Sequence, residues 1–283
     1  MHERRKLLGI IQPDRRAGAV YALSRGAGGD IMQNGKQVTS GIVLRSTDTK
    51  ETDKILTVLT PDRGKIAVIA RGARRKNSRL AASCQLLAYS ELTIYQRGNW
   101  CYLDEACTIE LFDGVRQDFE LLSLASYFAE LTETLTDADD ASPEVLSLLL
   151  NALYALGTLQ KDPQLVKPAF ELRLMALSGF EPLADGCAVC GRPEPEQPML
   201  DVTQGVVHCA GCKQMGGLSL PLGAGALAAL RHVLYGESKR LYSFRLDKPA
   251  LNQLDHVSEA FIAAQLERGF RTLDYYKSIR TEH

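Results

Sequence analysis

The sequence predicts an α+β multidomain chain: a small amino-terminal β-barrel, then an α-helical domain with a four-cysteine module inserted in it. Three observations carry this prediction. Short apolar runs separated by turn residues crowd residues 39–103, a helical period takes over after Phe112, and two Cys-x-x-Cys pairs interrupt the helices. With 283 residues, 45% hydrophobic and 24% charged, the chain is long enough for two domains and has an ordinary globular composition. Collagenous, low-complexity and wholly disordered classes are excluded on that basis.

Residues 1–36 show no sustained period and contain Gly26-Ala27-Gly28-Gly29, so they read as an extension without an assigned fold. Strand-like runs follow at 41–45, 54–59 and 65–70, and Pro61-Asp62-Arg63-Gly64 supplies a hairpin turn between the second and third. A run at 90–95 is joined through Gln96-Arg97-Gly98-Asn99 to another at 100–103. Five short strands with turns between them suit a small barrel over residues 37–112. Residues 78–87 fit a short helix or a loop, at the place where an oligonucleotide-binding (OB) barrel commonly carries an insertion.

From residue 113 to 283 the period is helical. Leu121, Leu122, Leu124, Ala125, Phe128, Leu131 and Leu135 recur at three- and four-residue steps. Ser142-Pro143-Glu144 reads as a cap with Pro in the first turn, and Asp162-Pro163 repeats the device ahead of a helix ending near Gly179. A cysteine module at about 183–218 follows, then helices at 224–234, 249–266 and 271–279. The longest nearly apolar stretch, 146–159, carries Asn151 and falls short of the roughly 20 residues a membrane span needs. Arg4, Arg5 and Lys6 precede only five residues resembling a signal core, which is too short, so a cytoplasmic protein is expected.

The net charge of −1 conceals an asymmetry. Residues 1–36 carry +4 and residues 37–112 carry +3, whereas residues 113–162 hold 2 Lys/Arg against 10 Asp/Glu, a net of −8. The basic part suits an anionic partner, and the acidic part suits a separate task.

Of seven cysteines, Cys84, Cys101 and Cys107 lie in strand-like sequence and read as small buried hydrophobes. The other four form Cys187-Ala-Val-Cys190 and Cys209-Ala-Gly-Cys212, separated by 18 residues. Two such knuckles can surround one Zn²⁺ tetrahedrally, and four thiolates leave no open position for substrate, so the expected role is structural. His208 competes with Cys209 as a ligand but suits a supporting or surface role better.

Arg71-Gly72-Ala73-Arg74-Arg75-Lys76-Asn77-Ser78-Arg79 places five cations in nine residues. Arg71, Arg74, Arg75, Lys76 and Arg79 are candidate phosphate contacts; the alternative is a solvated charged loop. Tyr89, Tyr95, Trp100 and Tyr102 on the neighbouring strands suit either base stacking or half-buried sheet. No phosphate-cradling G-x4-G-K-[ST], H-E-x-x-H, deaminase H-x-E or G-x-S-x-G motif occurs, and Glu51, Asp53, Asp139 and Asp140 read as turn and surface residues. A non-enzymatic protein is expected. An RNA-binding OB and zinc protein and a metal-dependent nuclease are the alternatives, closed thiolate coordination opposing the second.

Gly41-Ile42-Val43-Leu44-Arg45, Glu51-Thr52-Asp53-Lys54-Ile55-Leu56-Thr57, Ala70-Arg71-Gly72-Ala73-Arg74-Arg75 and Ser78-Arg79-Leu80 resemble the amino-terminal domain of the RecO family of bacterial recombination mediators. Residues 170–180, leading into Cys187-Ala188-Val189-Cys190-Gly191, resemble its helical domain and zinc module. The resemblance covers roughly residues 38–280 in order and implies an OB barrel, a helical domain, one zinc ion and no catalytic centre. It further implies binding of single- and double-stranded DNA, strand annealing, and action with RecR and in many bacteria RecF. Recombinase would be loaded onto strands coated by single-strand-binding protein. Docking of that protein's acidic carboxy-terminal tail is implied as well, with Arg173 a candidate for a cationic rim and an ion pair with a helix carboxylate its alternative.

Overall fold

The computed structural model describes residues 35–212 and 217–280. The expected extension at 1–36 therefore lies almost wholly outside the described residues, and Lys36 opens the first strand. Five strands, β1 (Lys36–Thr49), β2 (Asp53–Thr60), β3 (Gly64–Ala70), β4 (Tyr89–Arg97) and β5 (Trp100–Glu110), close a barrel in the order β1-β2-β3-β5-β4. All pairings are antiparallel except β3 with β5, where Val68 faces Cys101 and Ile69 faces Tyr102.

β1 runs for fourteen residues where the apolar pattern marks five. Its first half pairs with β4 and its second with β2, so one strand must bend around the barrel. A register shift between Val43 and Arg45 and the missing side chain of Gly41 permit the bend; a Cβ on Gly41 would fall 2.5 Å from Val58 Cγ1. Val43, Leu56, Val58, Val68, Leu92, Ile94 and Leu103 fill the interior. Residues 78–87 form irregular turns rather than a helix, and they drop Cys84 into this core, where burial pushes its thiol up to about 11. Cys84 thus behaves as a small hydrophobe from a turn, whereas Cys107 on β5 is exposed because its side chain points outward.

The helices are α1 (Asp113–Arg116), α2 (Phe119–Leu135), α3 (Pro143–Gly157), α4 (Pro163–Leu177), α5 (Ala224–Tyr235), α6 (Lys248–Leu266) and α7 (Arg271–Ile279). Asp118, Asp162 and Asp247 cap α2, α4 and α6, each carboxylate accepting a backbone N–H of the first turn. Ser142 precedes Pro143 as expected but gives no side-chain cap. Three short strands, β6 (Pro198–Asp201), β7 (Val206–Cys209) and β8 (Ser219–Pro221), form a sheet in the order β7-β6-β8 that the sequence pattern did not mark. No helix among the described residues is long and apolar enough to cross a membrane.

The chain divides into two compact units, Met1–Thr158 with Thr272–His283, and Leu159–Arg271. The division therefore differs from one at residue 113. In the first unit, the turn between α2 and α3 is fastened to the β2–β3 turn: the Lys65 N–H donates to the Asp137 carbonyl at 3.1 Å and the Asp139 N–H to that of Arg63 at 3.1 Å. Gly64 permits this approach, since its φ is +57° and a Cβ there would meet the Asp140 carbonyl at 2.3 Å. α7 returns to the same unit, with Thr272 Oγ1 donating to Glu130 on α2 and Tyr276 fully buried.

In the second unit α4 and α6 enclose Lys167, 0% exposed, whose ammonium meets Glu171 at 3.1 Å, Asp255 at 2.8 Å and Glu259 at 2.9 Å. The Ser258 hydroxyl donates to Glu171 as well. Burial alone would depress the Lys167 pKa, but the three carboxylates outweigh it and hold the ammonium above its ordinary value.

Candidate metal centre and nucleic-acid interface

The four sulfur atoms of Cys187, Cys190, Cys209 and Cys212 lie within 4.8 Å of one another. Cys187 and Cys212 are 3.8 Å apart and Cys190 and Cys209 3.9 Å. A tetrahedron with metal–sulfur bonds of about 2.3 Å has edges of about 3.8 Å, so the spacing suits one metal ion held by four thiolates. The first knuckle closes through Cys187 N–H to the Arg192 carbonyl at 2.8 Å and Gly191 N–H to that of Cys187 at 2.9 Å, Gly191 adopting a φ of +72°. The second closes through Cys212 N–H to the Cys209 carbonyl at 3.0 Å, and β7 carries Cys209 to the site.

Backbone N–H groups aim at the sulfurs. Cys190 and Cys209 donate to Cys187 Sγ at 3.5 and 3.4 Å, and Glu196 donates to Cys209 Sγ at 3.3 Å. Burial would raise the Cys187 thiol, yet the amides of Cys190, Cys209 and Val189 bring it down to about 6. Without a cation, a second thiolate beside the first is unfavourable: its hydrogen bond to Cys190 and its burial push Cys212 up to about 12. A divalent ion removes that conflict. His208 lies outside the four-sulfur group. Its ring lies buried beside the site, with Nδ1 donating to the Cys209 carbonyl at 2.9 Å and Nε2 accepting from Ser219 Oγ at 2.9 Å.

One residue outside the motif holds the first knuckle, and no spacing rule would have found it. Arg231 on α5 donates from Nε to the Ala184 carbonyl at 2.7 Å and from Nη2 to the carbonyls of Asp185 at 3.2 Å and Pro193 at 2.6 Å. Its Nη1 meets the Glu194 carboxylate at 2.8 Å. The planar fork thereby clasps both arms of the chain entering and leaving Cys187–Gly191. Arg231→Ala is expected to speed metal loss to a chelator about tenfold, by analogy with other groups that orient ligands. Arg231→Lys should not restore the rate, since a point charge cannot span these acceptors; equal release from all three proteins would disprove the clasp.

The basic segment leaves β3 and folds against the β1–β2 turn. The Gly72 N–H donates to Asp53 Oδ1 at 2.8 Å, which holds that carboxyl below its ordinary value, and the Arg74 N–H donates to the Thr52 carbonyl at 2.9 Å. Arg74 itself is spent on this junction, with Nε 3.1 Å from Asp48 and Nη1 3.2 Å from the Glu51 carbonyl. Arg75, Lys76 and Arg79 are exposed and have no side-chain partner among the described residues. Arg71 lies over the Tyr102 ring at 4.4 Å. Of the candidate aromatics, Tyr89 is fully buried, whereas Tyr95, Trp100 and Tyr102 share the outer wall.

Arg173 makes no ion pair with a carboxylate among the described residues. From α4 its Nη1 donates to the Leu234 carbonyl at 2.8 Å and its Nη2 to that of Gly236, so the guanidinium caps the last turn of α5.

Two family models match the chain, Recombination protein O N terminal over residues 32–112 and Recombination protein O C terminal over residues 116–274. Among its relatives is the DNA repair protein RecO of Acetivibrio thermocellus, 31% identical over 242 residues, covering 85% of this chain and 96% of the relative. The DNA repair protein RecO of Symbiobacterium thermophilum is 30% identical over 248 residues, covering 85% and 96%. That of Anaeromyxobacter sp. (strain K) is 33% identical over 232 residues, covering 81% and 91%. A barrel matched by one model and helices matched by the other, in the same order and over nearly all of the described chain, make this protein a member of the RecO family.

Proposed function

We propose that this protein is a non-enzymatic, cytoplasmic DNA-binding mediator of recombinational repair, binding single- and double-stranded DNA and annealing complementary strands. The observation that carries the reading is the segment 71–79: anchored on the β1–β2 turn by Arg74, it presents Arg75, Lys76 and Arg79, unpaired among the described residues, on a closed five-stranded barrel. Phosphates meet such cations without breaking existing ion pairs. The acidic turn at 137–140 is fastened at the opposite end of β3, about 20 Å away for a seven-residue strand. It therefore stays clear of the DNA and is available to a basic protein surface.

RecR, RecF and the acidic tail of single-strand-binding protein are the proposed partners, together with loading of recombinase onto coated strands. One Zn²⁺ is the proposed occupant of the four-cysteine site, since all-thiolate tetrahedral coordination suits it and leaves the ion a structural role. Arg173 is the proposed cationic rim for the tail peptide, and because its guanidinium also caps α5, Arg173→Ala should lower stability along with any loss of tail binding.

Annealing of complementary strands precoated with single-strand-binding protein tests the reading. It should proceed without ATP and slow as salt rises. In direct binding, Arg75→Ala with Lys76→Ala and Arg79→Ala should flatten the log–log salt dependence on a single strand by about 2, at roughly 0.7 per phosphate contact. That corresponds to about 100-fold in affinity at 0.1 M salt. An unchanged slope would move the DNA path off this segment.

A further inference from the structure

On the outer wall of the barrel, strand alternation turns Tyr95 of β4 and Trp100 and Tyr102 of β5 the same way, while Leu92, Ile94 and Leu103 point inward. Register places Tyr95 opposite Tyr102 and Trp100 opposite Arg97. The two tyrosine rings stack with centroids 5.4 Å apart and planes at 19°. Arg71 covers Tyr102 at 4.4 Å. Tyr102 therefore carries both a ring and a cation as neighbours.

Trp100, two residues along β5 on the same side, is 56% exposed and has no ring partner among the described residues. A single exposed tryptophan means little in general. This one has Arg97 opposite it across the hairpin and lies two residues along β5 from Tyr102, on which Arg71 is already laid. A guanidinium laid flat on a ring keeps its in-plane N–H groups free for a phosphate, and its position is fixed before the ligand arrives.

Resting on the DNA-binding reading above, we propose that Trp100 is a stacking residue for an unpaired nucleobase and that Arg71, held on Tyr102, grips the adjoining phosphate. The wall then distinguishes single strands from duplex. Bases in a duplex are already stacked on one another and offer the indole no face, whereas an unpaired base does. The cations at 75–79 serve both forms alike, because phosphates carry no such distinction.

Trp100 is the sole tryptophan in the 283 residues, so its emission reports directly on the proposed contact. Full-length protein titrated with a single-stranded oligothymidine should show quenching; an abasic strand of equal length and charge, or a duplex, should bind with little change in emission. Trp100→Ala should weaken single-strand binding by about 5- to 150-fold, the range for loss of one stacked base, and duplex binding less than twofold. Trp100→Phe should recover part of the loss, and Arg71→Lys, which keeps the charge but not the flat fork, should not match the unaltered protein. Single-strand binding by anisotropy with unchanged emission, or equal losses on both forms in Trp100→Ala, would overturn the stacking role and leave the DNA-binding reading intact. No binding to either form would overturn both.

Discussion

Cys209→Ser is expected to leave the purified protein with far less than one zinc per chain and to lower the melting temperature of the second unit by about 10 °C or more. The sheet that carries Cys209 has strands of four, four and three residues, too short to hold together by pairing alone. Leu200, Val202 and Val207 give it a small core, and α6 braces it where Gln265 Nε2 donates to the carbonyls of Val202 at 2.8 Å and Thr203 at 3.0 Å. On the proposed zinc reading the four thiolates supply the remaining constraint, which would make metal binding and local folding one equilibrium. Metal analysis and calorimetry on the full chain provide the check, with DNA affinity measured well below the melt expected to hold. A full zinc complement and an unshifted melt in Cys209→Ser would refute the structural site.

Lys167→Ala should destabilise the protein by about 3–5 kcal/mol, the usual cost of removing one partner from a buried ion pair. The reason is what stays behind. Glu171, Asp255 and Glu259, with side-chain exposures of 0%, 18% and 19%, would lose the ammonium they share. Urea unfolding gives the measurement; a loss under about 1 kcal/mol would mean that the carboxylates reorganise or take up protons at little cost. The same cluster sets a pH wing in the unaltered protein. Because the folded pKa of Lys167 lies above its ordinary 10.5, its stabilisation is complete below that value and is lost as pH climbs through the higher folded one.

Local chemistry explains which parts were readable in advance. Asp118, Asp162 and Pro143 mark helix starts by side-chain acceptors and a preset φ, and the four cysteines carry their geometry in their spacing. Long-range pairing was not readable. Residues 36–40 and 46–49 of β1 carry mixed, partly exposed side chains, and only β4 and β2 lying alongside make them strand. Tyr89 looks like its neighbours Tyr95 and Tyr102, yet one register shift beside it in β4 accompanies its burial while they face outward. The contacts of Arg173 and Arg231 were hidden for another reason: their acceptors are mainly backbone carbonyls, which every residue possesses, so no side-chain pattern announces them.

The return of α7 to the first unit bears on the order in which the molecule is made. A ribosome delivers residues 159–271 before α7, so everything the second unit needs has emerged while the first still lacks Thr272 and Tyr276. During synthesis the barrel unit must wait with the α2 surface around Glu130 uncovered, and the cysteine-bearing unit, though encoded later, can be finished sooner. A stalled nascent chain released at residue 271 should therefore resist protease across 159–271 and be cut within α2, and adding the remaining residues should close that cut.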